Sequence, residues 1–469
     1  MEAVKTEKPP QMVDTVDEKN LPAYGFIMIG GALVGSAIKD LRIANELAER
    51  GYPVHIFWAI DQTQVMTLHP RIKHHLFFNI GRYDGLFIKI FGHKICSASE
   101  YLGRFFSACL PTKWRLHLYQ NNLGGFDIVK WAMSGLINHT CRGVETDPRM
   151  LKRFAKVINR EKIRYLIPNL SIFAPYCDEV KQYVQHTLKY LVTFQGYEVY
   201  ANYAKEIGQL DNMLKILATS ARASDYPSIA VSNDYKQRII NEIGLTEDEL
   251  TTLPACIDLT PVMPLEEAQQ LVAGRLSDYQ TDLPLLTYMG RQDAEKGIDL
   301  LLYAAKMLEE SGERFQLAIC GTTAWGHSYR DGCRRIAQNL RLPVLEADYL
   351  SDAERTALYR ASHCIVYPSI HREPFGMVPI EAMLQGTPVV VPDKGGVSEL
   401  PFFNGEQAGL TFRMWDTVDL STQLSRLLND ERFYKSCSEQ ARSIANNYSV
   451  SEISDRILKL ISEHDTSSR

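Results

Sequence analysis

Residues 368–383 read Pro368-Ser369-Ile370-His371-Arg372-Glu373-Pro374-Phe375-Gly376-Met377-Val378-Pro379-Ile380-Glu381-Ala382-Met383. Two glutamates stand eight residues apart, Glu373 and Glu381, around a Phe-Gly turn that opens a helix. Glu373 falls in the loop and Glu381 two turns into the helix, so the two can grip different parts of one ligand. The amides of Gly376, Met377 and Val378 lie at the helix start, where N–H groups lack intrahelical partners and an anion is favoured. Glu381 shares its helix with Ile380, Ala382 and Met383. A carboxylate buried on that apolar face needs a hydroxyl partner, and a ribose offers two. The plain alternative is an exposed glutamate on a helix flank.

Outward from this segment, short β-branched runs alternate with longer amphipathic stretches. Strands are expected at Gly25–Ile29, Val54–Ala59, Ile163–Ile167, Tyr190–Phe194 and Ile229–Ser232. The second half continues with Leu285–Met289, Gln316–Cys320, Val344–Glu346, Cys364–Pro368 and Pro388–Val391. Helical periods fit between them, at Ser36–Arg50 closed by Gly51, Ile298–Leu308, Ala353–Ala361 and Pro379–Gln385. Further helical periods follow at Leu420–Leu428, Glu431–Ala445 and Val450–Glu463. Parallel strands need such crossovers, so the expected class is α/β with doubly wound sheets. Thr246–Leu283, rich in Pro, Thr, Glu and Gln without a clean period, reads as the connection between two Rossmann-like units.

Two further strand–loop–helix openings carry candidate chemistry. Gly290-Arg291-Gln292-Asp293-Ala294-Glu295-Lys296-Gly297 places two cations five residues apart beside a helix start. Diphosphate suits that combination, because Arg chelates oxygens through its fork and Lys supplies a mobile charge. A solvated turn is the alternative. The earlier opening, Gly30-Gly31-Ala32-Leu33-Val34-Gly35, is glycine-rich but lacks GxGxxG spacing. The strand after it ends Phe57-Trp58-Ala59, without an acid for a ribose. It reads as a tight turn, or as a loop facing a ligand other than a dinucleotide.

Composition narrows the field. The 469 residues are 45% hydrophobic and 23% charged, ordinary for a folded protein of two or three domains. Fifty-one basic against 56 acidic residues give a net charge of −5, so no global basic field recruits nucleic acid. No run reaches the roughly 18 apolar residues needed to cross a bilayer. The first twenty residues are polar and hold no signal core, so secretion is not expected and a cytoplasmic location is. Nine scattered cysteines, none in CxxC, suit reduced thiols rather than a disulfide framework or a zinc site. There is no Asp-x-Asp and no His/Cys cluster with ligand spacing, so no metal is expected, and no cofactor beyond the substrates themselves.

Taken together, GRQDAEKGIDLLLYA, PS…EPFGMVPIEAM with its Glu-x7-Glu spacing, GTPVVV and GGVSEL resemble the retaining glycosyltransferases of family 4, the glycogen-synthase-like group. The likeness runs from Leu285 to about Leu410 and is weaker in the first half, where Gly30-Gly31, Val231-Ser232 and Ile257-Asp258 carry it. It implies the GT-B fold, two facing Rossmann-like domains with a cleft between them. The division it implies is a polar tail at 1–22, an acceptor-binding domain at 23–245, a connection at 246–283 and a nucleotide-sugar-binding domain at 284–446. A last helix at 447–469 would pack back on the first domain. By matching position, Arg291 and Lys296 would hold the donor diphosphate, and Glu373 would contact the sugar at the reacting face. Gly376, Met377 and Val378 would cap the phosphates and Glu381 would bind the ribose. Tyr349 and Leu350 would border the base, Gly30 and Gly31 would lie across the cleft, and Gly395-Gly396 would form a tight turn. The implied reaction is retaining, metal-independent transfer of a hexose from a nucleoside diphosphate sugar, UDP-linked or else GDP-linked, to a hydroxyl of a sugar, polysaccharide precursor or lipid.

One departure stands out. Many members carry a histidine after a strand of the first domain, where this chain has Thr193-Phe194-Gln195-Gly196-Tyr197-Glu198. Gln195 cannot act as a base, although it can bond a sugar hydroxyl, and Glu198 could help orient an acceptor. His186 and His139 have less fitting flanks. A catalytically degenerate sugar-nucleotide-binding protein is therefore the alternative reading, followed by a Rossmann-type NAD-dependent enzyme. Residues 71–120 hold eight basic against two acidic residues, interleaved with aromatics such as Phe77, Phe87, Phe105 and Trp114. That mixture suits peripheral contact with an anionic membrane, or else a packed core with a solvated basic face.

Overall fold

The computed structural model describes residues 21–28, 35–58, 66–76, 140, 146, 148–206, 208–323 and 326–467. Gly30, Gly31, His139 and almost all of 71–120 lie outside the described residues, as does nearly all of the tail at 1–22. Three parallel sheets carry the architecture. The first joins β1 (Ala23–Met28), β2 (Val54–Trp58), β3 (Lys73–Leu76), β4 (Ile163–Pro168) and β5 (Lys189–Tyr190) in the order β3-β2-β1-β4-β5. Every residue of β1 is buried, as expected for a central strand covered on both faces. The crossover from β1 to β2 is the helix Gly35–Glu49. Gly51, at φ 93°, ends it: the Tyr52 amide bonds the Leu47 carbonyl and the Gly51 amide that of Ala48.

The second sheet holds β6 (Thr193–Phe194), β7 (Ser228–Ala230) and β8 (Leu250–Thr252) in that order. Tyr190–Phe194, read as one strand, is thus two. The chain leaves the first sheet after Tyr190 and enters the next at Thr193, because Leu191 and Val192 bury their side chains in different apolar clusters. The stretch 246–283, read as a connection without a clean period, contributes β8 and the helix Leu265–Arg275. The helix carries no strong amphipathic signal because only Ala268 and Val272 are buried on it.

The third sheet is built from β9 (Leu285–Met289), β10 (Gln316–Cys320), β11 (Val344–Ala347), β12 (Cys364–Val366) and β13 (Val389–Pro392). A short hairpin of β14 (Phe402–Phe403) and β15 (Glu406–Gln407) leads to its last strand, β16 (Gly409–Phe412). Its order is β11-β10-β9-β12-β13-β16, all parallel. In each large sheet the strand order reverses beside the first strand, at β1/β4 and at β9/β12. Loops on either side of such a point diverge and leave a crevice at the carboxyl ends. Among the described residues no helix is long and apolar enough to cross a membrane. The six described cysteines are free and buried.

Helices Thr417–Asn429 and Glu431–Asn446 pack against the third sheet and its neighbours. The last helix, Val450–Ser467, instead buries Ile453, Ile457 and Ile461 with Tyr24, Phe26 and Leu47 of the first unit. Its Asp465 accepts from the hydroxyls of Tyr165 and Tyr226, each at 2.8 Å, and from Lys189 at 2.6 Å. The two passages of the chain between units are tied together. The Ile257 amide bonds the Tyr448 carbonyl at 2.8 Å, and the Val450 amide bonds the Ile257 carbonyl at 2.9 Å.

Burial opposes the charge of Asp465, but Lys189 and the two tyrosine hydroxyls outweigh it and hold the carboxyl below its ordinary value. A depressed carboxylate stabilises above its unfolded pKa and loses that stabilisation as pH falls through the folded one. Asp465→Ala is therefore expected to cost about 2 kcal/mol near neutrality, since it orphans two phenol donors. Urea melts of the two proteins should converge as pH drops below 4.

Candidate functional site

The β9/β12 crevice gathers the residues singled out from sequence. The loop after β9 carries Arg291 and Lys296; the loop after β12 carries Glu373. Lys296 is buried, and its Nζ forms an ion pair with Glu373 Oε1 and bonds the Tyr367 hydroxyl at 3.2 Å. The Tyr367 ring also lies under the ammonium, 5.4 Å away at its centroid. Glu373 accepts further from Tyr367 at 3.4 Å and from Ser369 Oγ at 3.5 Å. Sequence reading assigned Lys296 to the donor diphosphate and Glu373 to the donor sugar; the fold makes the two side chains direct partners.

Burial pushes Glu373 towards the neutral acid, but Lys296, with His371 and Arg291 behind it, pulls harder and leaves its pKa depressed. Burial likewise pulls Lys296 down, while Tyr367 and Glu373 more than compensate and raise it. Both groups are therefore charged across the neutral range. Glycines make the approach geometrically feasible. Gly297, at φ 63°, has the Pro368 carbonyl oxygen 2.2 Å from where a Cβ would stand, so no other residue lets the two loops touch. Arg291 turns back onto its own loop, bonding Asp293 and Glu295 at 2.6 Å each.

Helix Met377–Leu384 begins at Gly376, whose φ of 119° suits glycine, with no side chain capping its first amides. Met377 and Val378 form its first turn and are half-buried. Glu381, one turn further on, is neither fully buried nor a lone surface group. It accepts from the Tyr359 hydroxyl at 3.1 Å and lies 3.6 Å from Arg42 and 3.7 Å from Arg355. The hydroxyl partner that sequence reading sought in a ligand is thus met in part by Tyr359. Arg42 comes from the helix after β1 and also bonds Asp258 at 2.8 Å, so it joins the first unit to the third sheet. Tyr349 and Leu350 lie beyond β11, on the same carboxyl edge two strands away. Tyr349 is 71% exposed, while Leu350 is buried.

In the first unit, Gln195 is not a free polar group. Its Nε2 donates to Asp40 Oδ2 at 2.9 Å and to the Asn169 carbonyl at 3.0 Å. Asp40 is fully buried, bonded also by Asn169 at 2.7 Å and paired with Lys39 at 3.4 Å. Glu198 is buried against Arg238 and accepts from Tyr235 at 3.2 Å. Burial dominates its surroundings and raises its pKa despite that guanidinium. His186 bonds the Ile163 carbonyl at 2.8 Å, a structural contact. Tyr367, Tyr359, Arg42 and Arg355 escaped sequence reading, since nothing local marks a residue that meets its partner through tertiary contact. Among the described residues no group of three or more His, Cys, Asp or Glu could hold a metal.

Residues 277–444 match the model of the family described as glycosyl transferases group 1. The D-inositol 3-phosphate glycosyltransferase of Rhodococcus jostii is 28% identical over 267 residues, 55% of this chain and 54% of that one. The chain spans about half the length of the curated relatives it matches. Among solved structures, sucrose-phosphate synthase from Thermosynechococcus elongatus aligns with TM-score 0.68 at 17% identity, over 95% of this chain and 100% of that one. Anabaena HepE in complex with UDP and glucose aligns with TM-score 0.64 at 15% identity, over 94% and 99%. The fold is GT-B, with two facing Rossmann-like domains.

Glu373→Gln leaves Lys296 buried without its counter-charge, a change expected to cost about 3 kcal/mol. Lys296→Met with Glu373→Gln should cost less than the two single losses summed, in a double-mutant cycle of denaturant melts. An additive cycle would show the two side chains to be uncoupled.

Proposed function

We propose that this chain transfers a hexose from a nucleoside diphosphate sugar to a hydroxyl acceptor with retention at the anomeric carbon, and that a UDP-sugar is the donor ahead of a GDP-sugar. The observation that carries the reading is the charged pair Lys296–Glu373 at the β9/β12 crevice, with Arg291 on the same loop and uncapped helix-start amides at Gly376–Val378. Support for a nucleotide-sugar donor comes from the family match at 277–444 and from the UDP and glucose named with the HepE structure.

In this reading the bond between the sugar and the diphosphate breaks with charge building on the leaving oxygens. Lys296 and the helix-start amides face that charge in place before the reaction, so they need little reorganisation, and Arg291 joins them by leaving Asp293 and Glu295. Glu373, kept ionised by Lys296, accepts hydrogen bonds from sugar hydroxyls on the reacting face. Glu381, oriented by Tyr359 and flanked by Arg42 and Arg355, accepts from the ribose hydroxyls, and Tyr349 offers an exposed ring beside the base. The released diphosphate takes the acceptor's proton, which spares the chain a histidine at Gln195. Cations and amides of the chain itself supply the charge that a metal would, so the reaction is proposed to run without one and without a cofactor. The acceptor is a polyol such as a sugar or an inositol-type headgroup, bound on the side of Gln195 and Glu198.

Thermal melting with UDP, GDP and ADP and their sugars, in chelator, is the direct test. A selective rise of several degrees is expected for one nucleotide, to be lost in Lys296→Ala and Glu381→Ala. An unchanged melting temperature with every nucleotide overturns the reading. Proton NMR of the product would show the anomeric coupling of the donor if configuration is retained, and the opposite coupling would refute retention.

A further inference from the structure

The helix Asn233–Ile243 belongs to the first unit, yet its opening turn is bound by the third sheet's loops. Arg372, next to Glu373, chelates Asp234: Nε lies 3.0 Å from Oδ2 and Nη2 lies 2.5 Å from Oδ1. The Pro374 carbonyl, on the other side of Glu373, accepts from Ser232 Oγ at 2.7 Å. Glu399 accepts from the amides of Asn233 and Asp234 at 3.2 and 2.7 Å, and from Asn233 Nδ2 at 3.1 Å. Packing here leaves no slack. A Cβ at Gly396 would stand 2.0 Å from the Pro374 carbonyl oxygen and 2.2 Å from Ser232 Oγ, and the Gly396 amide bonds the Glu373 carbonyl at 2.7 Å.

One turn beyond Asp234, Arg238 projects from the same helix to Glu198 and also bonds Glu242 at 2.7 Å. Residues four apart lie on one face of a helix, so a single rigid element grasps two carboxylate-bearing segments at once. Gly196 shows how close those segments come. A Cβ there would meet Glu198 Oε2 at 3.6 Å and Pro374 Cγ at 3.9 Å. Glu198 and the residue adjoining Glu373 are thus near neighbours across the cleft.

We propose that helix Asn233–Ile243 is a ruler for the reaction: Asp234, through Arg372, and Arg238, through Glu198, fix the separation between the Glu373 loop and the Glu198 side of the cleft. The role rests on the glycosyl-transfer reading, in which Glu373 faces the donor sugar and Glu198 the acceptor. Asp234, Arg238 and Arg372 act through other groups and are positioning residues. The Arg372–Asp234 pair is partly exposed and contributes little to stability by itself. Its effect is geometric, and a misplacement of about 1 Å at a reacting centre costs up to about a hundredfold in rate.

The test compares unaltered protein with Asp234→Asn, Arg372→Gln, Arg238→Gln and the exchanged pair Asp234→Arg with Arg372→Asp. Each is assayed for donor turnover with and without acceptor, and for its nucleotide-induced thermal shift. The single variants are expected to keep the shift and a donor KM within about twofold, to lose about tenfold or more in kcat for transfer, and to divert more donor to water. The exchanged pair is expected to recover most of the transfer rate. Single variants that transfer at the unaltered rate overturn the ruler, as does a loss of kcat that merely follows a lost thermal shift, or an exchanged pair that recovers nothing. A normal nucleotide shift and transfer in the unaltered protein keeps these outcomes distinct from failure of the functional reading itself, which shows as neither shift nor transfer and removes the ruler with it.

Discussion

A charge taken out of water must find its opposite or lose its proton, and the Lys296–Glu373 pair imposes that requirement on the whole of the second Rossmann-like unit. Neither group is tolerable alone in a crevice from which water is largely excluded. Two loops from adjacent strands must therefore converge to within ion-pair distance. That convergence dictates glycine at 297, where the Pro368 carbonyl intrudes, and at 395 and 396, where the backbone of Glu373 and Pro374 presses in. The switch in strand order at β9/β12 supplies the space; the glycines let the chain fill it. Features that looked like separate motifs along the sequence are one packing solution.

How much of this the sequence disclosed depends on the range of the contact. The strands β1, β9, β10 and β13 were legible because strands buried on both faces are continuous apolar runs. Glu373, Arg291 and Lys296 stood out as charged residues in loops between a strand and a helix, and Glu381 as a carboxylate among apolar neighbours on a helix. The sheet change between Tyr190 and Thr193 was not, since an uninterrupted apolar run does not say which sheet receives each residue. Nor was β8, three residues long, or the helix Leu265–Arg275, most of whose face meets solvent. Tyr359 and Arg42 reach Glu381 from 22 and 339 positions away, distances at which local pattern carries no information. Gln195 stood out in the sequence by its place after a strand, but its tie to the buried Asp40 had no local signal.

The two domains share more than a cleft. Arg42 spans from the first unit to Glu381, Arg372 and Glu399 reach back from the second unit to the helix at Asn233, and the two chain passages at Ile257 and Tyr448 are joined by backbone hydrogen bonds. A single covalent connection would permit twisting and sliding. Two passages bonded side by side, together with these side-chain ties, hold the units in register.

The placement of helix Val450–Ser467 bears on biogenesis. Its three isoleucines complete an apolar cluster whose other members lie before residue 260, and Asp465 satisfies tyrosines at 165 and 226. As the ribosome proceeds, the first domain emerges more than 180 residues before the segment that seals it. During that interval the helix Gly35–Glu49 already packs beside Tyr24 and Phe26, but the part of the cluster that Ile453, Ile457 and Ile461 fill stays open, a natural landing place for a chaperone. The second domain, with its cluster assembled from residues between Leu286 and Tyr434, meets no such delay. Vectorial synthesis therefore matures the two halves in the opposite order from that in which they are translated.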